Sequence, residues 1–247
     1  MTETKAQAAA RLQTHLVAVS RLRSAALVDP ATHAATMTLR QWQSARLTRT
    51  YPDLLGNPRY RAAALFFFDE LYGAKDLSGR DRDVQRILPT LTKLLPATAL
   101  STIADAIELD ALSETLDGAL LRALGYAPGS VLEPITEISY ARAYHACANR
   151  EARIRQIGFV AAIGNDLQAL TRIPLIESTI RLMAAPARMA GLGELHGFLR
   201  IGFATFKKMG DAGEFLDIIT KRETLLMRRL FDGVPAPFAG LTPTPGT

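Results

Sequence analysis

The chain has 247 residues, 48% apolar and 21% charged, with a net charge of +5. That length and apolar share provide for a real core in one large domain or two small ones, and exclude a disordered or fibrous chain. A single cysteine, Cys147, excludes an internal disulfide and any zinc site built from several cysteines, and points to a reducing cytoplasm.

Helical periodicity recurs along nearly the whole sequence, and strand alternation almost nowhere. It predicts helices near 4–27, 32–50, 58–72, 79–94, 97–124, 131–148, 150–171, 174–184, 189–209 and 211–231. Breaks fall at proline or glycine, as at Asp29-Pro30, Tyr51-Pro52, Pro96, Pro174, Pro186 and Gly210. The expected architecture is all-α: a single-domain bundle of nine to ten helices over 1–232. The last stretch, GVPAPFAGLTPTPGT (233–247), holds four prolines and three glycines and cannot continue a helix, so a flexible, disordered tail is expected there.

The first helix carries a narrow apolar seam of Leu12, Leu16 and Val19, with Arg11, Arg21 and Arg23 around it. Such a seam covers the chain's own core, or docks on a protein partner or a second copy. The N-terminus lacks the apolar run of a signal peptide, and no stretch has the length and hydropathy of a membrane span. Further on, FFFDELYGAKDLSGRDRDVQR (66–86) sets three phenylalanines before a dense run of charge. Gly73 suits a left-handed helix cap, and Ser78 with Asp81 approximates a capping box. The charges therefore define a helix corner that the phenylalanines fix to the core.

On helix 97–124 the face of Leu100, Ile103 and Ile107 continues through Asp110 and Glu114, while Leu109, Leu112, Leu116 and Leu120 cover another side. An element apolar on two faces is central. On 131–148 the face of Val131, Ile135 and Ile138 continues through Arg142 and His145. On 189–209 the stripe is Leu192, Leu195, Leu199, Phe203 and Phe206, and 211–231 follows it with Phe215, Ile218, Ile219, Leu225 and Leu226, with Arg222 and Arg229 inside the stripe. Unpaired buried charge is costly, so these groups should find one another. The expectation is a semi-buried cluster of Asp110, Glu114, Arg142, His145 and Arg222. It acts as a salt-bridge network fixing helix register, as a pocket for an anionic ligand clamped by Arg142 and Arg222, or as a proton-transfer site on His145 and Glu114.

Other chemistry finds little support. The four histidines, His15, His33, His145 and His196, never stand three or four apart, and no HExxH is present, so no metal or cofactor is expected. His196 reads as a hydrogen-bonded boundary residue and Cys147 as a small buried one. Charge runs basic, acidic, basic: +6 over 1–61, −6 over 62–137 and +5 over 138–247. The middle can neutralise the ends by packing. With 23 arginines to 6 lysines and no lysine-rich tail, planar pairing is favoured over nucleic-acid binding.

RYRAAALFFFDELYGAKDLSGRDRDVQRILPTLTKLLP, IELDALSETLD and APARMAGLGELHGFLRIGFATFKKM resemble an uncharacterised family of bacterial all-helical proteins with an FFxxELYGxxDxxxRD signature, over about residues 45–232. The resemblance implies a bacterial, cytoplasmic, single-domain protein and nothing catalytic. The expected function is a non-catalytic interaction or regulatory protein, acting on an unknown protein partner or by self-association. The alternative is a small-molecule binder or enzyme for anionic ligands that uses the Asp/Glu/Arg/His cluster.

Overall fold

Side-chain caps and prolines start the first two helices. Thr4 accepts the amide of Gln7 while Gln7 reaches back to the Thr4 backbone, closing a capping box that opens α1, Lys5–Val28. Asp29 then accepts the amides of Ala31 and Thr32, and Pro30 fills the first position of α2, Pro30–Thr50, where its missing N–H costs nothing. The computed structural model describes residues 3–68 and 78–242. Ten further helices follow: α3 Pro52–Gly56, α4 Arg61–Phe66, α5 Ser78–Leu94, α6 Ala97–Ala123, α7 Glu137–Ala146, α8 Arg150–Thr171, α9 Pro174–Leu182, α10 Ala184–Met189, α11 Gly193–Met209 and α12 Gly213–Phe231. Nine of the twelve have seven residues or more, and no strand occurs among the described residues. The chain is a single helical bundle, and among the described residues no helix is long and apolar enough to cross a membrane.

Helix α6 sits at the centre, packed on α1, α2, α7 and α8. Three apolar clusters surround it. Leu12, Leu16 and Val19 of α1 are fully buried against Leu100 and Ala104 of α6 and Val84 of α5, so the α1 seam covers the chain's own core. A second cluster joins Tyr51, Phe67 and Phe68 to Phe206, Phe215 and Ile219. A third joins Leu39, Leu120, Tyr140 and Tyr144 to Leu226 and Leu230. Burying each such side chain contributes about 1.5–3 kcal/mol.

Close approaches need glycine at two places. A Cβ on Gly164 would lie 2.3 Å from Leu216 Cδ2, which brings α8 against α12. One on Gly202 would lie 2.7 Å from Phe66 Cζ, so α11 accepts the first phenylalanine of the 66–68 run only without a side chain there. Gly210, at φ +77°, turns the corner from α11 into α12. Arg59 holds that corner, its Nε donating to the Met209 carbonyl at 3.0 Å and its Nη2 to that of Asp211 at 2.6 Å.

Several expectations need correction. The helix expected over 131–148 begins only at Glu137, because Pro134 interrupts the pattern and Thr136 with Ser139 forms a capping box. Its inner face is set by Tyr140, Ala143 and Tyr144, and Val131 and Ile138 lie 87% and 73% exposed. The segment expected to form one helix over 58–72 starts as α4. Of the corner read at Gly73, Ser78 and Asp81, Gly73 lies on 69–77, outside the described residues, while α5 opens at Ser78 and Arg86 pairs with Asp83 at 3.2 Å. Leu199 and Leu225 lie at the edges of their stripes rather than inside. The tail expected from 233 is, as far as 242, packed on the bundle. Phe238 meets Trp42 edge-on, Leu241 is buried, and Arg229 Nη1 donates to the Ala239 carbonyl at 2.6 Å. Leu241 belongs to the third cluster and Phe238 packs against it.

Candidate functional site

Asp110, Ser113, Glu114 and Asp117 stand at i, i+3, i+4 and i+7, which aligns them along one face of α6. Arginines from α1 and α2 meet that face. Arg23 Nη2 donates to both Asp110 oxygens at 2.6 and 2.7 Å, and its Nε to Glu114 at 2.9 Å. Arg40 bridges Glu114 at 2.5 Å and Asp117 at 3.4 Å. Gln43 donates to the other Asp117 oxygen at 3.1 Å.

Asp110 and Glu114 thus share a part-buried network, but Arg142, His145 and Arg222 are not in it. Arg142 and His145 lie on the exposed side of α7, which follows from the shorter helix and its tyrosine face. Arg222 clamps Asp53 through two bonds of 2.7 and 2.6 Å, donates to the Thr50 carbonyl and lies over the Tyr51 ring. Asp53 is held below the usual carboxylate range: burial works against this, and the hydrogen bonds and charge of Arg222 prevail.

Beside the α6 face lies an interior cavity of about 90 Å³, where the second and third apolar clusters meet. Its polar groups repeat at helical spacing on three elements: Arg40, Gln43 and Arg46 on α2, Asp110, Ser113 and Asp117 on α6, and Arg153 and Gln156 on α8. Helix α12 adds Glu223, which accepts from Arg46 Nη1 at 2.5 Å and from the Tyr51 hydroxyl at 2.8 Å. Burial opposes the charge on Arg46, but Glu223 outweighs it and raises the arginine pKa. Burial raises Asp117 above its ordinary value despite Arg40 and Gln43. Tyr140 and Tyr144 are also raised by burial and stay neutral.

Arg153 stands apart. It is 6% exposed and lines the cavity. Its Nη1 donates to Gln156 Oε1 at 2.9 Å, and Gln156 in turn donates to Ser113 at 2.8 Å. Its guanidinium lies over Tyr144, 4.7 Å from the ring centre. Yet Nε and Nη2 are buried with no acceptor on the protein, and Arg46 Nε is in the same condition. Arg153 also sits in the opening turns of α8, the helix end that favours negative charge. Four guanidiniums and three carboxylates line the cavity, and the unmatched N–H edge of Arg153 suits an anion rather than a metal ion. Among the described residues no group of three His, Cys, Asp or Glu side chains could hold one.

The residues missed by the sequence reading are Arg23, Arg40, Arg46, Arg153 and Asp117. The signal was present in the spacing of Arg40, Gln43 and Arg46 and of Arg153 and Gln156, but α2 offers no strong apolar stripe against which inward polar residues stand out. His196, by contrast, lies where expected, its Nε2 2.7 Å from the Ile180 carbonyl.

No curated protein and no solved structure matches the chain. A family described as a domain of unknown function, DUF8198, matches residues 22–237, which takes in every residue of the α6 network and the cavity. The chain therefore belongs to the DUF8198 family.

Proposed function

We propose that this protein is a non-catalytic, cytoplasmic binding protein that takes up a small anion in its interior cavity. One observation carries the reading: Arg153 is buried at the cavity wall with two N–H donors that no protein atom accepts. Leaving a charged donor unmatched in a low-dielectric interior costs several kcal/mol, which an anionic ligand would recover. The lining groups hold charge rather than move protons, since arginine stays protonated and the carboxylates are engaged by Arg40, Gln43 and Arg46. Five long helices contribute to the wall, so ligand binding would tighten the whole bundle, as suits a regulatory role. At a ligand concentration of 100 Kd the gain is about 2.7 kcal/mol.

Thermal denaturation tests this with sodium acetate, propionate, butyrate, sulfate and phosphate at constant ionic strength. At least one anion should raise the Tm of the wild type and of Lys221→Ala, a surface control, but not of Arg153→Met. Equal responses in all three proteins, or no response in any, would contradict the proposal.

A second reading, that the protein docks on a partner, is favoured by α9. Leu175 and Leu182, seven residues apart, are 73% and 79% exposed, and Arg172, Arg181 and Arg188 are exposed around them. Apolar side chains flanked by cations fit an acidic amphipathic helix. A synthetic Glu/Leu amphipathic peptide should bind the wild type in a salt-sensitive way and fail to bind Leu182→Glu. Equal binding to both would remove this reading. Self-association through the α1 seam has no such support, because Leu12, Leu16 and Val19 are fully buried within the chain.

A further inference from the structure

We infer that the anion is a short-chain monocarboxylate, held side-on by Nε and Nη2 of Arg153. This rests on the anion-binding reading above and narrows it.

The two unmatched donors of Arg153 share one edge of the guanidinium plane. That edge presents two parallel N–H groups, the geometry that meets both oxygens of a carboxylate. The protein uses it elsewhere: Arg11 donates from Nε to Glu3 Oε1 and from Nη2 to Glu3 Oε2, each at 3.0 Å. At Arg153 the remaining nitrogen is already spent on Gln156, and the Tyr144 ring fixes the plane from one face. The fork is therefore oriented before a ligand arrives, which lowers the entropy lost on binding.

Charge sets the valence. Arg23, Arg40 and Arg46 each have a carboxylate partner among Asp110, Glu114, Asp117 and Glu223. Arg153 has none within hydrogen-bond reach, and Asp117 and Glu223 share its cavity. Arg23, Arg40, Arg46 and Arg153 are matched in number by Asp110, Glu114, Asp117 and Glu223, so a monoanion adds one surplus charge and a dianion two, which favours the monoanion beside two carboxylates.

The rest of the wall sets the tail. Phe67, Phe68, Val160, Leu226, Met227 and Leu230 cover a hydrocarbon chain well, and beyond Arg153 the one unmatched lining donor among the described residues is Arg46 Nε, which serves a single further oxygen of a phosphate or sulfate. A cavity of 150 Å³ admits the six heavy atoms of benzene, so about 90 Å³ admits roughly four. Acetate has that number of heavy atoms, and propionate and butyrate exceed it by one and two.

Isothermal titration of the full chain at pH 7.5 with these three carboxylates, sulfate and phosphate decides the matter. At least one carboxylate should bind tenfold or more tightly than either oxyanion. Arg153→Lys, which keeps the charge and loses the fork, should weaken that carboxylate at least tenfold. The wild type gives an independent readout, because the Arg153 Nε–H resonance should shift on adding the carboxylate. If sulfate or phosphate binds as tightly as the best carboxylate, or if Arg153→Lys binds the carboxylate unchanged, the carboxylate assignment fails and the anion site stands. If none of the five produces heat or moves that resonance, both fail.

Discussion

Arg23 and Arg153 are the same residue type at the same exposure, 6%, yet they stand in opposite circumstances. On the α1–α6 side Arg23 is closed off by Asp110 and Glu114. On the α8 side Arg153 has a glutamine, a tyrosine ring and two donors without acceptors. Burial alone therefore says nothing about whether a charge is architectural. A buried ion pair fixes how helices meet, whereas a buried charge with unmatched donors marks a place where something else is expected to bind.

The contrast can be broken by mutation, most severely at Arg23. Replacing it with methionine leaves Asp110 and Glu114 without their shared cation, although Arg40 still reaches Glu114. Urea denaturation should show a loss of about 3–5 kcal/mol. Arg222→Met removes a clamp whose partner, Asp53, is 30% exposed, so water can replace part of what is lost. The same assay should show about 1–3 kcal/mol. An equal loss at both sites would mean that burial does not separate them.

A pH titration sharpens the comparison at Asp117, which faces the cavity from α6. Burial raises its folded pKa above the ordinary value of 3.8. Between the two values the folded state holds a proton that the unfolded state has released. Stability from this group is therefore greatest at low pH and falls as pH rises through that window. Asp117→Asn removes the slope. Relative to wild type, the variant should be more favourably placed at pH 7 than at pH 4, and the reverse order would show that Arg40 and Gln43 outweigh burial.

Much of the fold could be read in the sequence, because apolar spacing states directly which face of a helix is buried. Leu12, Leu16 and Val19, and Phe203, Phe206 and Phe215, lie in the core as their periodicity required. Asp110 and Glu114 were legible as inward charges for the same reason. Their partners were not, since spacing along one helix carries no information about which helix lies opposite. Spacing alone turns Arg142 and His145 inward on a register that Pro134 cuts short, and Tyr140 and Tyr144 set the face the other way. Phe238 and Leu241 were hidden among prolines and glycines, whose effect on helix formation says nothing of whether a stretch can dock. The cavity itself is a property of how the second and third clusters fail to close beside α6, and only the folded arrangement shows it.

The most direct measurement is the stability of Arg153→Met beside that of Arg23→Met, in the same buffer without added anion. Methionine removes an unmatched charge and keeps most of the packing volume. Arg153→Met should therefore lie within about 1 kcal/mol of wild type, or above it, while losing the stabilisation that a short carboxylate gives. A loss as large as that of Arg23→Met, with the carboxylate response intact, would make Arg153 a structural residue and contradict the account.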